Sequence, residues 1–145
     1  MRITERILCS YGFPIDKAIP VEAMRTAIVN SEVSTIRETL GDETMSLLAA
    51  MADNDPALVG GTVNGKNVSG YNRAAAHIAF AHLLVLVNTQ ATAFGAVKKK
   101  DDYSVGVDWF AAAKYYEAMG LAGLRELCDA EGWNYNTPST LTTEV

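Results

Sequence analysis

His77 and His82 are the first residues of this sequence that could hold a metal or move a proton. Five residues apart on a helix, they point about 140° away from each other. A zinc pair on one helical turn takes a spacing of four, so they fit core or interface histidines with local hydrogen bonds better than ligands. The paired carboxylates, Asp53 with Asp55 and Asp101 with Asp102, stand beside turn residues, where capping and solvation are their ordinary roles. Ser10, Ser69 and Ser104 lack a G-x-S-x-G context, and Cys9 has no recognisable base partner. The glycines of G-G-T-V-N-G are not followed by the G-K-S/T of a phosphate loop. No catalytic residue, no metal ligand and no cofactor is therefore expected, and the chain reads as a non-enzyme. Lys98, Lys99 and Lys100 form a basic run that Asp101 and Asp102 follow at once. A solvated loop is the economical reading, and contact with a partner or a passing phosphate backbone is the other. Near the ends, Tyr11, Phe13, Trp133 and Tyr135 suit anchors for a partner's pocket, or packing against the domain that carries them.

These residues must be positioned by a single domain. A chain of 145 residues buries roughly two thirds of its unfolded surface on folding. With 49% apolar and 20% charged residues it has the composition of a globular protein. The net charge of -5 argues against a general nucleic-acid binder, which needs a basic face to displace counterions. Cys9 and Cys128 show neither metal-ligand spacing nor a disulfide framework and fit small hydrophobes in a reducing compartment. The first residues carry Arg2, Glu5 and Arg6 in place of a signal peptide's apolar run, so no export is expected. The apolar run 74–87 falls short of the roughly 20 residues of a membrane span.

Periodicity predicts a mainly α protein, an antiparallel bundle of four to five helices with a small β-hairpin insertion and an extended C-terminal tail. Ile3, Ile7 and Leu8 suit one or two turns before Gly12 and Pro14. A helix over 20–40 starts at Pro20. Its apolar stripe, Val21, Met24 and Ile28, then Val29, Val33, Ile36 and Leu40, shifts by one residue near the middle. Gly41 stops it, and Asp42 caps a shorter helix containing Met45, Leu47, Leu48 and Met51. Asn64-Gly65 predicts a tight hairpin within 60–69, which must lean on its own helices or on a neighbour. The helix over 71–88 is apolar on nearly every side and must be covered on nearly every side, more easily with help from a second copy. A polar loop, 89–104, precedes the last helix. That helix begins between 105 and 108, ends near Glu131 before Gly132, and buries Trp109, Phe110, Ala113, Tyr116, Leu121, Leu124, Leu127 and Cys128. Gly120 and Gly123 in it allow another backbone to approach.

Four segments in this order carry a family resemblance: I-R-E-T-L-G-D-E, A-A-A-H-I-A-F-A-H-L-L, A-T-A-F-G-A-V-K-K-K-D-D-Y-S and A-K-Y-Y-E. Over residues 20–130 the chain resembles the head-to-tail connector, or head-completion adaptor, proteins of tailed bacteriophages, most distinctively in T-A-F-G-A-V-K. The first 19 residues and the tail after Gly132 lie outside the pattern. The resemblance implies a structural virion protein at the capsid–tail junction, assembled in the host cytoplasm. It implies a homo-oligomeric ring of about twelve copies with heterologous contacts. Such a ring binds the portal protein, extends the DNA channel and docks the downstream tail or stopper protein, with no membrane partner. An acidic chain can line that channel without trapping DNA.

On this reading residues 1–132 form the connector domain and 133–145 a docking tail. Trp133, Tyr135 and Leu141 are expected to meet the portal or tail partner. Thr92, Phe94, Lys98, Lys99, Lys100 and Tyr103 are expected on an inter-subunit or channel loop, and Val63, Asn64, Gly65 and Lys66 on an inter-subunit hairpin. The helices over 20–40 and 71–88 would form the subunit core and part of the ring contact. A cellular helical interaction or regulatory module without catalytic activity is the alternative, and it would remain a monomer or small dimer.

Overall fold

The computed structural model describes residues 3–92, 95–98 and 108–140, with backbone alone over 89–92 and 95–98. The chain is mainly helical, as expected. Its elements are α1 (Glu5–Cys9), α2 (Val21–Ser31), a π-helical turn (Glu32–Ile36), α3 (Arg37–Ala50), α4 (Pro56–Val59), β1 (Gly61–Val63), β2 (Lys66–Val68), α5 (Tyr71–Val87), β3 (Thr89–Thr92), β4 (Gly95–Lys98) and α6 (Trp109–Glu131). Among the described residues no helix is long and apolar enough to cross a membrane.

The π turn accounts for the stripe that shifts in the first long helix. Each step of four residues along an α-helix drifts by about 40°, so Ile36 and Leu40 would rotate away from Met24 and Ile28. The turn takes up one extra residue and returns them to the same face, where all four are buried. Val29 and Val33, which continue the expected apolar stripe, fall off this face. The buried face resumes its earlier phase, and both valines stay exposed. Gly41, with φ 81° and ψ 161°, breaks α3 at the expected corner. Thr39 and Leu40 are buried before the break, Thr44 and Leu48 after it, and Leu47 is exposed. An Arg25–Glu5 ion pair ties α2 to α1.

Asp55 starts the short helix α4 by accepting a hydrogen bond from the Ala57 amide at 2.9 Å, with Pro56 in the first turn. The hairpin follows, with Val63 paired to Lys66 and Asn64 and Gly65 both at positive φ, the signature of a type I′ turn. It leans on its own chain: Val63 and Val68 are buried, and Asn64 Nδ2 donates to the Ala130 carbonyl at 2.9 Å.

Helix α5 is packed chiefly against α6 and α2. From Tyr71 to Leu83 the chain's own elements bury it, leaving Arg73 exposed and His82 half-buried; a second copy is not required there. Only its last turn, 84–87, emerges. Gly120 makes the α5–α6 contact close, since a Cβ there would stand 2.5 Å from Ile78 Cγ1 and 2.7 Å from the Ala74 oxygen. Phe110, expected inside, lies exposed in the first turn of α6, although it stands on the same side of the helix as the buried Cys128. Part of the expected polar loop is an antiparallel ribbon with Thr89 opposite Lys98 and Thr92 opposite Gly95. The β-branched Thr89, Thr92 and Val97 favour strands.

Candidate functional site

The surfaces that could meet a partner are set by what remains after the polar and aromatic groups have found partners inside the chain. His77 Nδ1 lies 2.7 Å from the Arg73 carbonyl. Its ring stands edge-on to Phe13 at 5.0 Å, and Phe13 stacks on Phe80 at 4.7 Å. Tyr116 closes the cluster, edge-on to Phe80 at 4.8 Å. His82 Nε2 meets Thr35 Oγ1 at 3.3 Å. Both histidines therefore sit in structural roles on different sides of α5. Among the described residues no group of three or more His, Cys, Asp or Glu side chains converges to hold a metal ion.

Of the residues expected on the docking tail, Trp133 and Tyr135 are half-buried against the chain's own core, and Leu141 lies outside the described residues. Gly132 ends α6 in the left-handed conformation, φ 76° and ψ 22°, which glycine adopts without penalty. The chain then turns back, with the Trp133 amide donating to the Cys128 carbonyl at 2.9 Å. The Arg125 guanidinium lies over the Tyr135 ring at 5.5 Å. Carbonyls that end a helical run lack their usual donor, and the Gly41 break puts Thr39 in that position. Asn136 brings it two donors, its amide at 3.0 Å and Nδ2 at 3.3 Å. Pro138 is buried, and the Ser139 amide donates to Glu38 Oε1 at 3.1 Å. Residues 133–140 thus form a strap across α3.

Beneath the strap, Cys128 donates to the Asn134 carbonyl at 3.8 Å. Burial, with the Asp129 charge adding to it, pushes its thiol up to about 11. Burial likewise raises the Tyr135 hydroxyl above its ordinary value, although Arg125 acts against it. Tyr11 is raised in the same way, opposed by Arg73, whose guanidinium lies 6.0 Å from its ring.

Among the residues expected on the inter-subunit hairpin, Val63 faces the core and Asn64 is bonded to α6, leaving Gly65 and Lys66 exposed at the tip. Lys66 and Asn67 face Arg125, Glu126 and Asp129 across a cleft of about 380 Å³. Thr92 and Lys98 lie on the backbone of the ribbon. Phe94, Lys99, Lys100 and Tyr103 lie outside the described residues.

Sequence reasoning missed the outer face of α6. Tyr115 is 61% exposed and Met119 41%, beside exposed Ala111, Ala118 and Ala122. Helical spacing was the available signal, because these residues lie opposite the buried arc. A second exposed apolar pair, Val29 and Val33, lies on α2 and the π turn. A scan against protein-family models, a search of curated proteins and a search of solved structures each found no match.

Proposed function

We propose that this chain is a structural head-to-tail connector subunit of a tailed bacteriophage, forming a ring that binds the portal, extends the DNA channel and docks the next tail component. The observation that best supports the reading is a pair of exposed apolar faces on two different helices packed around α5: Val29 with Val33, and Tyr115 with Met119. Two unlike faces suit a heterologous contact, in which one face of a copy meets the other face of its neighbour. The net charge of -5 suits a channel wall that repels DNA and does not grip it. In this reading the chain performs no catalysis, and Trp133, Tyr135 and Leu141 serve the portal or tail contact.

The test is a mass measurement of the chain alone and with a purified portal ring encoded beside it, for the wild type and for Tyr115→Asp with Met119→Asp. Both positions are exposed, so the double variant is expected to fold as the wild type while losing the ring. A wild-type chain that never joins a portal, or a double variant that joins it normally, contradicts the reading. Replacing Lys98, Lys99 and Lys100 by glutamate examines the basic run: unchanged assembly and DNA retention would remove it from the contact.

A further inference from the structure

The segment assigned above to a partner is already seated on its own chain. Its far end is latched by hydrogen bonds, of Asn136 to the Thr39 carbonyl and of the amide and hydroxyl of Ser139 to Glu38 Oε1 at 3.1 and 3.4 Å. The Ser139 bonds lie at the surface, where a hydrogen bond competes with water. A cleft of about 370 Å³ lies between the strap and the Gly41 break and Leu47, so that side of the strap is open. At the other end Gly132 is exposed, and a Cβ there would meet nothing within 4 Å, so the turn at this end is not packed against other side chains. We propose that residues 133–140 are a clasp that opens as a unit about Gly132, releasing Trp133 and Tyr135 for the docking partner and uncovering Cys128.

The clasp rests on the reading of the tail as a docking segment, but its first test needs no partner. Cys128 is 1% exposed and lies under Asn134, so it reports opening from inside the native protein. In the closed state its thiol, held near 11, is almost wholly protonated at pH 8. The reactive thiolate forms to the extent that opening brings the thiol into water and lowers it toward its ordinary range.

The experiment follows labelling of Cys128 by a thiol reagent at pH 8 in the full chain carrying Cys9→Ser, which removes the exposed thiol. Labelling is expected to be faster than global unfolding. Asn136→Ala and Ser139→Ala should each accelerate it up to roughly tenfold, the factor that goes with a lost hydrogen bond, with the melting midpoint little changed. A disulfide between Glu38→Cys and Ser139→Cys should suppress it at least as strongly. Labelling only at the rate of global unfolding overturns the clasp, as does acceleration that merely follows a fall in the midpoint. A portal ring that binds the disulfide-locked chain as tightly as the unlocked one overturns the link between opening and docking. A portal that binds neither form counts against the connector reading itself, so the two failures are distinguishable.

Discussion

Replacing Gly120 by alanine sets two physical effects of opposite sign against each other. In the interior of α6 the substitution should favour the helix by about 1 kcal/mol. The new Cβ, however, would stand 2.5 Å from Ile78 Cγ1 and 2.7 Å from the Ala74 carbonyl oxygen. The isoleucine can change rotamer, but the oxygen belongs to the backbone of α5. A carbon–oxygen contact needs about 3.3 Å, so the two helices must part by roughly 0.6 Å at this point. A gap of that size forfeits about a quarter or more of the dispersion energy of the contacts it opens. Overpacking of this kind costs about 1–3 kcal/mol, and the rigid obstacle places this site in the upper part of that range. A net loss of about 2 kcal/mol follows, or about 4–8 °C in the melting midpoint of a chain this size. Urea unfolding followed by far-UV circular dichroism measures it. Gly123→Ala is the comparison, since its Cβ would meet the Ala74 Cβ at 3.0 Å, and it should lie between no change and a gain of about 1 kcal/mol. A Gly120→Ala chain stabilised by about 1 kcal/mol would show that propensity acts alone and that the close approach of α5 and α6 is wrong.

Gly70→Ala should destabilise the chain by about 3 kcal/mol or more. Its φ is +95°, and a Cβ would lie 2.5 Å from the Gly60 amide nitrogen and 2.6 Å from the Leu58 carbonyl oxygen; a native melting midpoint would contradict this. Asn64→Gly keeps the positive φ of the turn but loses the bond to Ala130, at about 1 kcal/mol, whereas Asn64→Ala adds backbone strain and should lose about 2 kcal/mol in the same urea assay. Stability should also fall as pH rises from about 9 towards 11. The Cys128 thiol is raised to about 11 in the fold, so the unfolded chain loses that proton first, and each pH unit in that window removes about 1.4 kcal/mol. Cys128→Ala should flatten this part of the stability curve, and an unchanged slope would assign it to other groups.

Much of the fold was legible because local signals agreed with one another. The Asn64-Gly65 turn, the apolar run of α5, the Gly41 break and the Gly132 stop all act over a few residues. They stand where periodicity and turn chemistry put them. The short helix α4 and the ribbon of β3 and β4 were not read, since four-residue elements carry too little periodicity. The aromatic character of Trp133 and Tyr135 marked them as anchors, but it could not say what they anchor to. The contacts that hold the strap join residues 97 and 101 positions apart, and no local pattern encodes such a pairing.

By itself the sequence determined that the chain is a helical domain with one turn-driven hairpin, because backbone preferences and hydrophobic spacing are properties of short segments. Tertiary structure decided the phase of the π turn, which follows from the core that Ile36 and Leu40 must reach together with Met24 and Ile28. It decided that α5 is covered from Tyr71 to Leu83 by the chain itself, that Tyr115 and Met119 face outward, and that the tail lies across α3. Each of these depends on which surfaces meet, and a helix with apolar residues on several sides can satisfy its own backbone equally well whichever side is buried.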